Sequence, residues 1–237
     1  GDINYREGNK ESLELTLGLG MGGLGGFLEG PLSQNISYIA SYRRSYLNLL
    51  ADAINAGGMP SYDDFQGKIT YRPNIYNTYT FLTINGRSTY DRSLEDALDI
   101  GDGSYGKVGN KQNTIGFNHK HIWNEKSFSN SSIGLSKEKA NISFNDTFSK
   151  GPVFNSFNLQ NTFSLRQLNQ IKQNSKYIFE FGFEYYLRKT EYDFFLNNIE
   201  NKKNVSVSNI STFVTLKQVL FDRVVLSSGI RLDYNNY

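Results

Sequence analysis

The chain has 237 residues, a formal net charge of +2 and no cysteine, with 38% hydrophobic and 14% aromatic residues. Its mean hydropathy is −0.50, and no stretch approaches the 18 apolar residues that a transmembrane helix needs. The small net charge argues against a nucleic-acid-binding protein, which concentrates basic residues on one face. Without cysteine, disulfides and thiolate metal sites are excluded.

The main signal is a strict alternation of apolar and polar residues, clearest at 177–188. Successive strand residues point to opposite faces, so one face of this strand would be a continuous wall of aromatic and aliphatic side chains: Tyr177, Phe179, Phe181, Phe183, Tyr185 and Leu187. The other face would carry Glu180, Glu184 and Arg188. Such a pattern is typical of a strand that separates lipid from a wet interior.

The same alternation predicts about eleven strands and no helices between them. In chain order these are 13–19, 25–32, 36–49, 65–72, 78–90, 114–123, 128–143, 157–170, 176–194, 205–220 and 224–234. A tight connection at 21–23 closes the first hairpin, and short turns are predicted at 33–35, 73–77, 124–126, 173–175 and 221–223. Longer loops are predicted at 50–63, 91–112, 144–156 and 197–204.

The lengths of these connections alternate along the chain. After the first hairpin, the short turns fall at one end of the strands and the longer loops at the other. Outer-membrane barrels have short periplasmic turns and longer extracellular loops, whereas a soluble sandwich has no reason for such sorting. The sequence therefore predicts an all-β, antiparallel, up-and-down transmembrane barrel with the longer loops outside the cell.

We expect the chain to be an internal piece of a longer protein. Gly1 is not an initiator methionine, and the alternating pattern from Val224 to Tyr234 is still running when the sequence stops at Tyr237.

Several segments resemble one family. Residues 2–8 (DINYREG) look like the last plug strand of a TonB-dependent outer-membrane receptor. Residues 13–20, 27–32 (FLEGPL) and 38–50 (YIASYRRSYLNLL) look like its first three barrel strands, in the type common in Bacteroidota. Residues 214–222 and 226–234 (LSSGIRLDY) resemble a recurrent mid-barrel hairpin.

The resemblance implies a 22-stranded barrel closed by an N-terminal plug. Residues 1–10 would be the last strand of the plug and its exit into the barrel, and residues 11–237 the N-terminal half of the barrel wall. The family imports a scarce, bulky nutrient (siderophore, cobalamin, oligosaccharide or peptide) with energy delivered through TonB. The implied partners are outer-membrane lipid, the rest of the plug and barrel, the TonB complex and the nutrient. The sequence departs from the full pattern because it has no TonB box, almost no plug and about half of the barrel.

Two other functions stay open from the sequence. One is a different outer-membrane barrel, such as a passive porin or an adhesin, and the other is a soluble all-β carbohydrate-binding domain. Enzymatic activity is not predicted, because no Ser/His/Asp or paired-carboxylate constellation is present. We assign no catalytic, cofactor-binding or metal-ligating residue, and the substrate-binding residues stay undetermined.

Three motifs also match more specific functional patterns. Residues 18–23 (GLGMGG) match G-x-G-x-x-G, but the glycine-rich segment that follows ends at Pro31 and predicts no helix to hold a pyrophosphate. We expect Gly18 and Gly20 to face inward and leave room for the plug.

His119 and His121 have a spacing that can hold zinc, but no third histidine exists and no cysteine is available. Together with Trp123 they fit the belt of aromatic residues that a membrane barrel carries at the interface on its short-turn side.

The longest predicted loop is rich in acidic residues: Asp91, Glu95, Asp96, Asp99 and Asp102. Clustered carboxylates can bind calcium, although the spacing of an EF-hand is absent. The same loop is a candidate contact for the ligand or for a surface lipoprotein.

Overall fold

The computed structural model describes residues 6–20, 23–47, 58, 60–174, 176–196, 199–221 and 223–236. These residues form one sheet of eleven antiparallel strands and one short helix. The strands are β1 (Glu14–Gly20), β2 (Gly23–Ser33), β3 (Ile36–Arg44), β4 (Pro60–Tyr71), β5 (Asn77–Arg92), β6 (Ser104–Asn124), β7 (Ser127–Asp146), β8 (Pro152–Lys172), β9 (Tyr177–Leu196), β10 (Ile199–Leu220) and β11 (Val224–Asn236). The helix α1 (Leu94–Asp99) lies between β5 and β6. No helix in the described part of the chain is long and apolar enough to cross a membrane.

Each strand pairs with the next one along the chain, so the sheet order is β1 to β11 without a crossover. The predicted all-β, antiparallel, up-and-down architecture and the predicted strand count are therefore confirmed. Among the described residues, β1 and β11 each pair with one neighbour only and form the two edges of the sheet.

Two faces of the sheet differ sharply, and the register defines them. We call the side of Phe179, Phe181 and Phe183 the outward face and the side of Glu180 and Glu184 the inner face. Residues paired across neighbouring strands lie on the same side of a sheet. On the outward face, two adjacent cross-strand rows contain only apolar or small residues from β9 to β1. The first row is Leu187, Phe163, Leu135, Ile115, Thr83, Gly67, Ala40, Leu28 and Leu15. The second row is Tyr185, Leu165, Ile133, Phe117, Phe81, Ile69, Tyr38, Gly30 and, next to Gly30 just before β1, Leu13. These rows are the centre of an apolar band.

Burial in the sheet is the reverse of that in a soluble protein. Among the described residues, the only buried hydrophobic ones are Ile39 and Ala97. The buried polar ones are Glu29, Ser37, Ser45, Thr70, Ser129, Thr147 and Ser211. By contrast, Phe181 and Phe183 are 37% and 41% exposed. A soluble sandwich needs an apolar face packed on a second sheet, so this surface needs lipid rather than water on its apolar side.

Most strands are longer than the sequence predicts, and the corrections fall at one end. The predicted loop 91–112 contains the end of β5, the helix α1 and the first part of β6. The predicted loop 144–156 shrinks to residues 147–151, and most of the predicted loop 197–204 belongs to β10. Alternation fails there because the side chains are polar on both faces, while backbone pairing continues.

Loop length therefore alternates between the two ends of the strands less clearly than predicted. The residues between β9 and β10, 197 and 198, lie outside the described residues, but Leu196 and Ile199 pair directly, so this connection is not a long loop. The asymmetry lies in the strands, since the apolar band sits near the short-turn end and β5 to β10 extend well beyond it at the other end.

Several other predictions fall partly outside the described residues. In the plug strand predicted at 2–8, residues 6–8 are irregular, and in the predicted loop 50–63, residues 60–63 belong to β4. The strand predicted at 36–49 is too long, since β3 ends at Arg44. The connections predicted at 21–23, 173–175 and 221–223 each include residues outside the described part. In the first hairpin, Gly23 is already the first residue of β2.

Candidate functional site

The N-terminal segment is held against the inner face of β2 to β4. The Arg6 guanidinium forms a two-pronged ion pair with Glu29, with Nη1 2.6 Å from Oε2. The backbone N–H of Asn9 donates to the same Glu29 oxygen at 2.8 Å, and Lys68 Nζ donates to the carbonyl of Arg6 at 3.0 Å. Glu29 is almost fully buried, so these donors satisfy a carboxylate that would otherwise be costly to bury.

A second ion pair follows directly. Glu7 pairs with Arg72 at the end of β4 and with Lys10 Nζ at 2.7 Å. Partial burial raises the pKa of the Glu7 carboxyl, but the hydrogen bonds and charges of Lys10 and Arg72 outweigh it, so the pKa lies below its ordinary value. A polar groove of about 570 Å³ opens beside this contact, lined in part by Thr70, Asn118 and Lys120.

Farther round the wall, the inner faces of β8 to β11 carry a charged network. Glu184 Oε1 lies 3.0 Å from Arg166 Nε, and Glu184 Oε2 lies 2.9 Å from Arg231 Nη2. Arg231 Nε also lies 3.0 Å from Asp233 Oδ1. The fully buried Ser211 hydroxyl oxygen lies 2.5 Å from that Asp233 oxygen. Register alone brings these side chains together, because Arg166, Glu184, Ser211 and Asp233 form one cross-strand row.

An uncharged polar patch lies on the inner face, toward the end of the strands that is far from the short turns. We call it the amide patch, and it consists of Asn110, Gln112, Asn158 and Gln160. With Glu138 it lines a groove of about 380 Å³. Asn110 Nδ2 donates to Ser88 Oγ at 3.3 Å, whereas the side-chain amides of Gln112 and Gln160 have no partner among the described residues. Free amides can both donate and accept hydrogen bonds, so this patch is suited to a polar ligand.

The structure disperses the acidic residues singled out in the sequence. Asp91 on β5 pairs with Lys107 Nζ at 2.7 Å, and Asp102 pairs with Arg92. Asp96 accepts hydrogen bonds from the hydroxyl and the backbone N–H of Ser93. No group of three or more metal-ligating side chains is brought together among the described residues.

The alternation pattern does not predict the helix α1, although the sequence contains a local signal for it. Ser93 and Asp96 form a capping box, the S-x-x-D pattern that marks a helix start. The hydroxyl and the backbone N–H of Ser93 hold the pKa of the Asp96 carboxyl below its ordinary value.

The two histidines lie in an outward-facing row of rings near the short turns. His119 stacks on Tyr79 with ring centroids 4.4 Å apart, and His121 meets Trp123 edge-on at 4.3 Å. His119 Nε2 and His121 Nδ1 share one partner, Asn77 Oδ1, at 3.0 and 2.8 Å. This row of rings is consistent with the aromatic belt that the sequence predicts, which stays a prediction.

The glycine-rich motif at 18–23 is not followed by a helix, since Gly18 and Gly20 belong to β1 and Gly23 begins β2. A nucleotide-binding turn is therefore excluded. Gly18 and Gly20 lie on the inner side of β1, with nothing within 4 Å of a Cβ placed on either, while Leu17 and Leu19 on the outward side are exposed.

No protein-family model and no curated protein matches the chain. Solved structures do match. A mutant of the ferric enterobactin receptor PfeA from Pseudomonas aeruginosa matches 90% of the chain with a TM-score of 0.67 and 13% identity. The ferric yersiniabactin uptake receptor FyuA from Yersinia pestis matches 90% at 0.66 and 11% identity, and the copper transporter OprC matches 98% at 0.66 and 12% identity.

These proteins are TonB-dependent receptors, and they are transport receptors rather than enzymes. At such low identity the likeness shows the fold, so the barrel fold implied by the sequence resemblance is confirmed. The chain spans 36%, 36% and 39% of the lengths of these three structures.

Proposed function

We propose that this chain is barrel wall from a TonB-dependent receptor in the bacterial outer membrane, which imports a scarce nutrient. The observation that carries the proposal is the two-faced sheet, with an exposed apolar band on the outward face and a network of ion pairs on the inner face. A wall of this kind separates lipid from a wet lumen. The receptors that share the fold support the assignment.

In this proposal, residues 1–10 are the end of the plug and residues 11–237 belong to a barrel of 22 strands. The ion pairs of Arg6 with Glu29 and of Glu7 with Arg72 support this division, because they hold the segment on the inner face rather than on the lipid side. A passive porin has no need of such a segment. The nutrient would enter from the end where β5 to β10 extend beyond the apolar band and would meet the amide patch.

Topology provides the first test. The chain has no cysteine, so single cysteines can be introduced into the intact receptor at two highly exposed turn positions, Phe148 (88% exposed) and Ile75 (81% exposed). In whole cells, an impermeant thiol reagent should label Phe148→Cys and leave Ile75→Cys unlabelled. Both should react once the outer membrane is permeabilised.

The reverse labelling would place the amide patch in the periplasm and contradict the proposed direction of transport. Uptake that continues after deletion of TonB would favour a passive porin instead.

A further inference from the structure

We propose that the outward face carries a binding groove for a phosphorylated lipid at the outer edge of the apolar band. The inference rests on the proposed function for its membrane setting, but it concerns a different surface from the lumen. The groove lies across β6 to β9 and has a volume of about 400 Å³. Its floor is apolar, and lysines stand along its rim.

The floor belongs to the last apolar row of the band. Ile115, Leu135, Phe163 and Leu187 lie side by side on four consecutive strands. Ile115 and Leu135 are 47% and 54% exposed, so the floor is open to whatever surrounds the sheet. In the membrane, this floor faces the hydrocarbon region, so an acyl chain of the bound lipid would lie against it.

The polarity changes completely within one step along the strands. The next outward-facing row beyond the floor reads Asn113, Lys137, Asn161 and Lys189. The row after that brings together Arg87, Lys111 and Lys139, and it continues through Leu159 on β8 to Glu191 on β9. Lipid phosphates lie at the corresponding boundary, where the hydrocarbon region of a membrane ends.

The lysines of these rows repel one another and lack protein counterions. Lys111 and Lys139 face each other across neighbouring strands, an arrangement of like charges that is destabilising. Lys137 is two residues from Lys139 on the same strand, about 7 Å away. Arg87 is neutralised by Asp63 at 2.8 Å, but Lys111, Lys137, Lys139 and Lys189 form no ion pair with any described residue. An anionic group held between them would relieve this repulsion.

The geometry favours a lipid over a free anion. Lys137 and Lys189 stand directly above Leu135 and Leu187, so one ligand can place phosphate between the lysines and acyl chains on the floor. Inorganic phosphate would use only the charged half of the groove. Long lysine side chains at this level can also reach along the surface toward a headgroup.

The test uses the intact receptor purified in detergent and titrated with dioleoyl phosphatidic acid, with dioleoyl phosphatidylcholine as the matched lipid. We expect native mass spectrometry to show preferential binding of phosphatidic acid. The double variant Lys137→Gln/Lys189→Gln should lower that affinity about 30-fold, since each lysine near an anionic headgroup changes affinity by roughly fivefold. The control Lys107→Gln removes an outward lysine that Asp91 already neutralises and should have little effect.

Equal binding of the two lipids, equal loss in the control variant, or full displacement of the lipid by millimolar inorganic phosphate would overturn the inference. Any of these results in a receptor that still shows the expected cysteine labelling would leave the proposed function standing. A receptor absent from the outer membrane would overturn both.

Discussion

Phe181 and Glu184 stand three residues apart on β9 and face opposite surroundings. Phe181 contacts Phe179 within the exposed apolar band, with ring centroids 5.5 Å apart, whereas Glu184 lies between Arg166 and Arg231 on the inner face. The same covalent backbone thus meets a nonpolar medium on one side and a hydrogen-bonded polar surface on the other. For a single residue, the face of the sheet on which it lies decides whether a charged side chain is tolerated.

The variant Phe181→Arg should sharply reduce assembly of the intact receptor. A charge on the lipid-facing side of a barrel costs about 2–4 kcal/mol near the middle of the membrane. Glu184→Gln keeps the shape and the hydrogen-bonding oxygen of the side chain, so its effect should be mild. The measurement is the fraction of receptor in the outer-membrane fraction that shows heat-modifiable gel mobility, and equal assembly of the two variants would contradict the facing of β9.

The facing of β9 follows from alternation alone, because side-chain direction has a period of two in any strand. The ion pairs of the inner face cannot be predicted from alternation. Glu7 and Arg72 are 65 residues apart, and Arg166 and Glu184 meet only because Arg166 pairs with Glu184 in the register of β8 and β9. Register over several strands depends on every turn between them, which one sequence does not specify.

Among the elements, α1 differs from the strands because local chemistry alone defines it. It spans only Leu94–Asp99, and the Ser93–Asp96 capping box supplies partners for its first N–H groups. The Ser93 hydroxyl and N–H lower the pKa of Asp96, so this stabilisation is present above the ordinary aspartate pKa. It is lost as the pH falls through the lowered value, because protonated Asp96 is a poorer acceptor.

We therefore expect α1 to loosen in acid. A spin label at Leu98→Cys, an exposed position on α1, should be immobilised at pH 7 and become more mobile only once the pH falls below the ordinary aspartate pKa. Ser93→Ala should produce the mobile spectrum already at pH 7, because losing an N-cap costs about 1 kcal/mol. A label at Ile75→Cys is the control, since the neighbouring turn is capped by the uncharged amide of Asn74. A Leu98 spectrum that does not change with pH would show that the capping box does not hold α1.

Strand ends were the least predictable parts of the other elements. Inside the band, lipid on one side and water on the other impose alternation, and the predicted strands lie at the observed places. Beyond the band, both faces of β6 to β10 are wet, and the backbone hydrogen bonds alone continue the strand. Lys202 and Lys203 in β10 belong to such an extension, and their polar surroundings suggested a loop.

For the molecule as a whole, the sheet is open in the described residues. Its two edges are β1 and β11, and the outward side chains of both are exposed, with Leu17 at 75% and Ile230 at 68%. Up-and-down order and strand count could be predicted because short turns join neighbouring strands. Which strands would cover these edges in the intact barrel cannot be read from a local pattern.

The last prediction concerns residues 1–237 produced as a separate polypeptide. Within the described part of the chain, the edges of β1 and β11 that face away from the sheet carry backbone N–H and C=O groups without a strand partner, and such groups are templates for pairing with other chains. A bilayer cannot accept such edges, because each unpaired group in hydrocarbon costs several kcal/mol. In water, the exposed apolar band adds a second cause of association. We expect inclusion bodies or aggregates, and in detergent no heat-modifiable species, whereas the intact receptor should show one. A monodisperse, heat-modifiable monomer of this polypeptide would mean that β1 and β11 close on each other, and the small-barrel alternative would then replace the receptor wall.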